Sequence, residues 1–335
     1  MRIPTATYRL QFNKEFGFED ARAIVPYLHD MGISDIYASP LLRAREGSSH
    51  GYDVADPTKL NPDLGSEEEF ELLTETLNSK NMGLLLDIVP NHMVASPENP
   101  WWKDLLENGE LSPYAKYFDI DWHHAEGDMQ GKMQLPIIGT EFDQAIDNGE
   151  FALMLEETGL SLRYHDYTLP LDIKSYATVL SLRSADSKDP PQIRASQQLR
   201  RLVESMAGLP DTNQGDTTST TKGYQTRQVI KKRFLHLIEA STNLRNSVID
   251  NIRLFNRNRV SNDLLKRLID QQAYKLEYWK NGIRQFNYRR FFNITELVGI
   301  RVEDPQVFED THTLILELAG GRITGLRIDH IDGLH

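Results

Sequence analysis

The sequence predicts an α/β fold assembled from parallel βα units, and three observations lead there. Segments of strand and helix character alternate through the first ninety residues, and a helix followed by a strand returns over 304–335. Residues with ionisable or aromatic side chains gather directly behind the apolar strand segments, and in such folds that face carries the site.

"TATYRLQF" (5–12) has the β-branched and aromatic content of a strand. In "FEDARAIVPYLHDMG", Ala21, Ile24, Val25, Leu28 and Met31 recur at helical spacing, and Gly32 stands where a helix closes. Pro26 lies inside that pattern, so a kink or a late helix start is expected. "ISDIYASP" (33–40) reads as a second strand halted by Pro40, followed by a long loop. Ser66 and Glu69 make a capping box for the next helix, with Phe70, Leu73 and Leu77 as its apolar stripe. "GLLLDIVPNH" (83–92) is a third strand, and its unbroken apolar run suggests burial on both faces. Strands and helices in this order imply right-handed parallel crossovers.

Residues 93–170 are rich in Trp, Tyr, Pro and Gly with short strand-like pieces such as "FALMLEE", and read as a small, mostly β insertion. Residues 171–303 read as a helical insertion, interrupted by the small polar stretch 210–223, expected to be a loop. Asp304 is then a cap candidate, Pro305 opens a helix, Val307 to Leu318 carry its stripe, and Gly320-Gly321 stop it. "RITGLRIDHIDGLH" (322–335) is a fourth strand. The expected organisation is barrel strands 1–3 with their helices over 1–92, the β insertion over 93–170, the helical insertion over 171–303, and the third barrel helix with strand four over 304–335. Four such strands are half of a (β/α)8 TIM barrel.

With 39% hydrophobic and 26% charged residues, the chain has the composition of an ordinary globular protein. Its net charge of −12 argues against a nucleic-acid partner, and the lack of Cys excludes disulfides and thiolate metal sites. No apolar stretch has the length of a signal-peptide core at the N-terminus, nor the ~18 residues needed to span a membrane, so a cytoplasmic location is expected. Asp121, His123 and His124 lie close together, but in an aromatic turn that fits a structural role better than a metal site. No metal or cofactor is expected.

Four clusters carry chemistry. "SSHGYDV" supplies His50, Tyr52 and Asp53 after strand two. "DIVPNH" supplies Asp87, Asn91 and His92 at the end of strand three, "GLRIDHID" supplies Arg327, Asp329 and Asp332 at the end of strand four, and "QFNYRRFF" (285–292) places two arginines among aromatics. Each has a plain alternative. Tyr52 and Asp53 are also turn formers, Asn91-His92 also a hydrogen-bonded turn, and the two arginines also a solvated pair. Arg327 and Asp329, two apart on a strand, share one face as either an ion pair bracing the rim or a catalytic pair. The three strand-end clusters point to one rim, which favours a site.

Together "DIVPNH", "GLRIDHID" and "HGYDV" resemble, in order and at matching strand positions, the signature regions of the α-amylase family of glycoside hydrolases and transferases. Within it, "NYRRFF", "YASPLLRAREGSSHGYDV" and the long insertion between strands three and four look most like the maltooligosyl trehalose synthases. The resemblance implies an isomerase acting on maltooligosaccharide, converting the reducing-end α-1,4 linkage to an α,α-1,1 linkage by a retaining mechanism. Asp329 matches the nucleophile, and Arg327 would keep it ionised and oriented. Tyr52 would stack on the sugar, with His50, Asp53 and His92 bonding its hydroxyls. Asp87 and Asn91 would brace the strand-three loop. The aromatic-rich insertion could serve as a lid that excludes water.

Two departures temper the resemblance. Asp332-Gly333 stand where amylases carry a Lys-His pair, which agrees with the synthase branch. The family's general-acid Glu and its third carboxylate have no match within the 335 residues. The chain is therefore expected to be a truncated half barrel, inactive alone, that self-associates through open barrel edges. The alternatives are an α-glucan hydrolase or transferase of the amylase type, and a non-catalytic glucan-binding half barrel.

Overall fold

The computed structural model describes residues 3–123, 131–182, 190–212, 217–256, 262–281 and 286–334. The chain divides into two compact units, one of residues 1–100, 117–119 and 289–335, the other of 101–116 and 120–288.

The first unit opens with strand β1 (Thr7–Leu10), helix α1 (Phe18–Asp30) and strand β2 (Asp35–Ala38). Helix α1 begins at Phe18 and runs through Pro26, so the late start expected there does not occur. Asp20 accepts from the backbone N–H of Gly17 at 2.9 Å and fixes the N-terminus. The stretch after Pro40 is not the loop its turn residues suggested. Strands β3 (Leu42–Ala44) and β4 (Val54–Leu60) form an antiparallel pair there with irregular register. Helix α2 (Glu67–Ser79) carries the expected capping box. Ser66 Oγ accepts from the Glu69 N–H at 3.2 Å, and Glu69 accepts from the Ser66 N–H at 2.7 Å. Strands β5 (Gly83–Ile88) and β6 (His92–Val94) follow.

Helix α3 (Pro100–Asn108), all but its first residue in the second unit, forms where β structure was expected. Pro100 in the first turn suits a helix start, and Trp102, Leu105 and Leu106 are buried at helical spacing. Strand β7 (Met133–Ile138), helix α4 (Phe142–Asp147) and strands β8 (Phe151–Glu156), β9 (Gly159–Tyr164) and β10 (Tyr167–Pro170) come next, the last three an antiparallel meander. Helices α5 (Tyr176–Leu180), α6 (Pro190–Ala207), α7 (Thr217–Glu239), α8 (Thr242–Phe255) and α9 (Asn262–Asp270) lead to strand β11 (Tyr274–Tyr278), which pairs in parallel with β7. Helix α7 takes up the end of the stretch 210–223, of which residues 213–216 lie outside the described part.

The chain returns to the first unit with strand β12 (Leu297–Gly299), helix α10 (Pro305–Ala319) and strand β13 (Gly325–Ile328). Asp304 caps α10, its carboxylate accepting from the Gln306 N–H at 2.9 Å. The unit boundaries therefore fall at 100/101 and 288/289, where sequence reading drew them at 92/93 and 303/304. The cause is the antiparallel pairing of β12 with β6, which ties 297–299 to the end of the third barrel-type strand.

The sheet that organises this unit has the order β1-β2-β5-β13, with every pair parallel. Leu10, Ile36, Ala38, Leu84, Leu86 and Ile88 project from one face into a core with Phe18, Val25 and Leu28 of α1, Phe70, Leu73 and Leu77 of α2, and Ile315 and Leu318 of α10. Each Leu, Ile, Val or Phe side chain among them contributes roughly 1.5–3 kcal/mol by its burial. Paired residues of a parallel sheet point to the same side. The register Arg9↔Tyr37, Tyr37↔Leu85 and Arg327↔Asp87 therefore sends a row of polar side chains to the opposite face.

Candidate active site

The polar row closes into a network at the C-terminal ends of the strands. Asp87, fully buried near the end of β5, accepts from the hydroxyls of Tyr37 at 2.8 Å and of Tyr52, both on Oδ2, and from Arg327 Nη1 at 3.0 Å on Oδ1. Arg9 Nη2 donates to the Tyr52 hydroxyl at 3.0 Å, and its guanidinium lies 5.3 Å from the centre of the Tyr37 ring. Burial, reinforced by the bond to Asp87, pushes the Tyr52 phenol up to about 12 and raises that of Tyr37. Both phenols stay protonated at neutral pH and act as donors. The hydrogen bond to Asp87 raises the Arg327 guanidinium above its ordinary value.

Arg327 also donates through Nη1 to Asp329. Asp329 follows the last residue of β13, and its N–H donates to the Ile88 carbonyl at 2.9 Å, so its backbone is fixed against β5. His330, next along, turns the chain with a left-handed φ of 52°. The two carboxylates differ in what they can do. Asp87 is fully buried, accepts from two phenols and a guanidinium, and serves as an anchor. Asp329, with its side chain 20% exposed, borders a cleft of about 430 Å³ and, bonded by Arg327 through Oδ1, keeps acceptor capacity to spare.

His50, Tyr52, Asp53 and His92 border the same cleft. The loop bearing the first three is held from within. His50 Nδ1 accepts from the Tyr52 N–H at 3.0 Å, and Asp53 accepts from the Ser48 hydroxyl. Gly51 between them has φ 79°, and a Cβ there would lie 2.7 Å from the Pro40 carbonyl oxygen, so the turn requires glycine. His92 is buried, its Nε2 is 3.1 Å from the Tyr52 carbonyl oxygen, and its ring centre lies 3.8 Å from that of Phe291, the planes tilted by 33°. Burial drives its pKa down to about 4, so the imidazole is neutral at pH 7.

Asn91 is buried outside the cleft lining and donates to the Gly333 carbonyl at 2.6 Å, tying the β5 loop to the turn after β13. Asp332 is 84% exposed, 3.4 Å from His330 Nδ1. In the "NYRRFF" stretch, of which Gln285 before it lies outside the described residues, the arginines do not line the cleft. Arg289 bonds the Ile300 carbonyl at 2.7 Å and pairs with Asp119, while Phe291 supplies the aromatic wall. Arg9, Tyr37, Phe291, Arg45 and Glu296 are the site-forming residues that sequence reading missed. Strand alternation placed Arg9 and Tyr37 on one face only once their register was known.

Asp121 Oδ1 accepts from the His123 N–H at 3.1 Å, an internal turn contact, and His124 lies outside the described residues. Among the described residues no group of three or more His, Cys, Asp or Glu could hold a metal ion, and no helix is long and apolar enough to cross a membrane.

Known proteins resemble this chain in sequence and in fold. Residues 23–147 match the family described as "Alpha amylase, catalytic domain". A protein of Mycobacterium tuberculosis described as a maltooligosyl trehalose synthase is 31% identical over 337 residues, covering 98% of this chain and 31% of that protein. The intracellular maltogenic amylase of Bacillus subtilis is 36% identical over 94 residues, 28% of this chain and 15% of that protein. The solved structure of maltooligosyltrehalose synthase from Arthrobacter ramosus superposes with a TM-score of 0.64 at 31% identity, covering 99% of this chain and 32% of that one. The chain is thus homologous to maltooligosyl trehalose synthases and has a TIM-barrel-like α/β fold. It spans about a third of the length of those relatives.

Proposed function

We infer that this chain, homologous along nearly all its length to maltooligosyl trehalose synthases, carries the nucleophile and the sugar-binding rim of an isomerase acting on maltooligosaccharides. The reaction turns the reducing-end α-1,4 linkage into an α,α-1,1 linkage. Its four parallel strands are one half of an eight-stranded barrel, with the second compact unit inserted between the third and fourth.

One observation carries this reading. Asp329 sits at the end of β13, clamped by Arg327, and faces a cleft bordered by His50, Tyr52, Asp53 and His92. In the proposed mechanism an Asp329 oxygen attacks the anomeric carbon as the bond to the terminal glucose breaks, and the leaving oxygen takes a proton. The freed glucose turns, its anomeric oxygen attacks the same carbon, and Asp329 leaves as a carboxylate. The proton returns to its donor, and no water is consumed. Tyr52 stacks on the sugar, and His50, Asp53 and His92 bond its hydroxyls. Neutral His92 donates through Nε2 to the Tyr52 carbonyl, which leaves its buried Nδ1 an acceptor without a partner inside the chain, suited to a donating hydroxyl. Asp87 and Asn91 position the loop around them. Asp87, fully buried and bonded by three donors, is not assigned the acid role, and no residue of this chain is.

Maltopentaose incubated with the full-length product of the gene encoding this chain tests the proposal. Loss of reducing ends without shortening of the glucan supports isomerisation, and its abolition in Asp329→Asn supports the nucleophile. A rise in reducing ends would mean an amylase-type hydrolase. Binding without turnover would mean a glucan-binding protein.

A further inference from the structure

A charged pair on the cleft wall has no part in the chemistry described above. Arg45, just after β3, pairs through Nη1 with Glu296 Oε2 at 3.1 Å, and its Nε lies 3.8 Å from Glu98 Oε1. Arg45 and Glu296 both border the cleft that Asp329, Tyr52 and His92 border. Their backbones are held independently of the pair. The Arg45 N–H donates to the Asp53 carbonyl at 3.0 Å, and the Glu296 carbonyl accepts from the Ala95 N–H at 2.7 Å. Glu98 is fixed in turn by the Glu46 N–H at 2.7 Å.

A half-exposed ion pair of this kind adds little to stability, so the fold does not require it. What the pair offers is unused hydrogen-bonding capacity. A guanidinium has five N–H donors and a carboxylate about four acceptor sites, of which this pair occupies a fraction. Vicinal hydroxyls of a sugar are both donors and acceptors, and fit such a pair edge-on.

We propose that Arg45 and Glu296 are specificity-determining residues that bond the hydroxyls of the displaced glucose and retain it in the cleft until it attacks the glycosylated Asp329. The inference rests on the isomerase reading. Retention matters there because the covalent intermediate has two fates. Attack by the glucose completes isomerisation, whereas attack by water after the glucose escapes gives hydrolysis. Weakening the hold on glucose shifts the partition without touching the nucleophile.

The test compares the full-length gene product with its Arg45→Met and Glu296→Gln variants on maltopentaose, reading trehalose-ended product and free glucose together with thermal midpoints. Losing one charge-assisted contact should raise the ratio of free glucose to isomerised product about tenfold, with the midpoint unchanged. Activity falling with the ratio unmoved in both variants would overturn the inference and leave the isomerase reading intact. A wild-type protein that only hydrolyses would overturn both.

Discussion

Arg327 Nη1 lies 3.0 Å from Asp87 Oδ1, and this contact joins the last strand of the sheet to its neighbour at the point where the chain turns into the cleft. The guanidinium is half exposed while the carboxylate is fully buried, so the anchor lies on the β5 side and the reach on the β13 side. Tyr37 and Tyr52 complete the coordination of Asp87 from β2 and from the loop before β4. One buried carboxylate therefore sets the relative positions of the nucleophile candidate and the aromatic platform candidate.

Replacing Asp87 by Asn should lower stability by about 1.5–3 kcal/mol, because the bonds from Tyr37, Tyr52 and Arg327 lose their charge assistance and Arg327 keeps Asp329 as its charged partner. Urea denaturation of the isolated chain measures this. A change under about 0.5 kcal/mol would show that the carboxylate charge is not what holds the network.

His92 makes stability depend on pH. Its folded pKa of about 4 lies below the ordinary value of 6.5, so the unfolded chain binds the proton more readily than the folded one. Its contribution is fully present above about pH 6.5 and is lost as pH falls towards 4, by an amount on the order of 3 kcal/mol. Denaturation midpoints at pH 7, 5.5 and 4.5 should fall steeply in the wild type and less so in His92→Gln. Parallel slopes would assign the acid sensitivity to other groups.

The parts of this architecture that were legible in the sequence are those fixed by near neighbours. The Ser66–Glu69 capping box and the Asp304 cap are local patterns, and both formed. Arg327 and Asp329 share a face because they are two apart on a strand. What was not legible depends on long-range register. Arg9 and Tyr37 become site-forming only because β1 and β2 pair with Arg9 opposite Tyr37. The β3–β4 pair reads as loop because "VADPTKL" carries Asp and Pro, residues that ordinarily mark turns. In "NYRRFF" the arginines drew attention, but the β12–β6 pairing brings Phe291 against His92 and leaves Arg289 bracing the Ile300 carbonyl.

The second unit holds a buried ion pair that should dominate its mutational sensitivity. Arg227 on α7 and Asp172 are both nearly inaccessible and bonded to each other, and Arg227 Nη2 also donates to the Pro210 carbonyl at 2.6 Å. Arg227→Met leaves a buried carboxylate unpaired and should cost about 3–5 kcal/mol, whereas Arg227→Met with Asp172→Asn should recover part of that loss. A double-mutant cycle by chemical denaturation decides it. Additive losses would mean that the two side chains act separately.

Two glycines of the loop before β4 separate backbone strain from steric contact. Gly47 and Gly51 both have left-handed φ, 74° and 79°. An added Cβ at Gly47 meets nothing within 4 Å, while at Gly51 it would lie 2.7 Å from the Pro40 carbonyl oxygen. Gly47→Ala should therefore cost only the left-handed penalty of roughly 1–2 kcal/mol. Gly51→Ala carries the same penalty plus the clash, and relief of that clash moves the backbone between His50 and Tyr52. Gly51→Ala should consequently lower the thermal midpoint more than Gly47→Ala, and it alone should weaken maltooligosaccharide binding. Equal effects on stability and binding would mean that the loop absorbs the Pro40 contact without moving Tyr52.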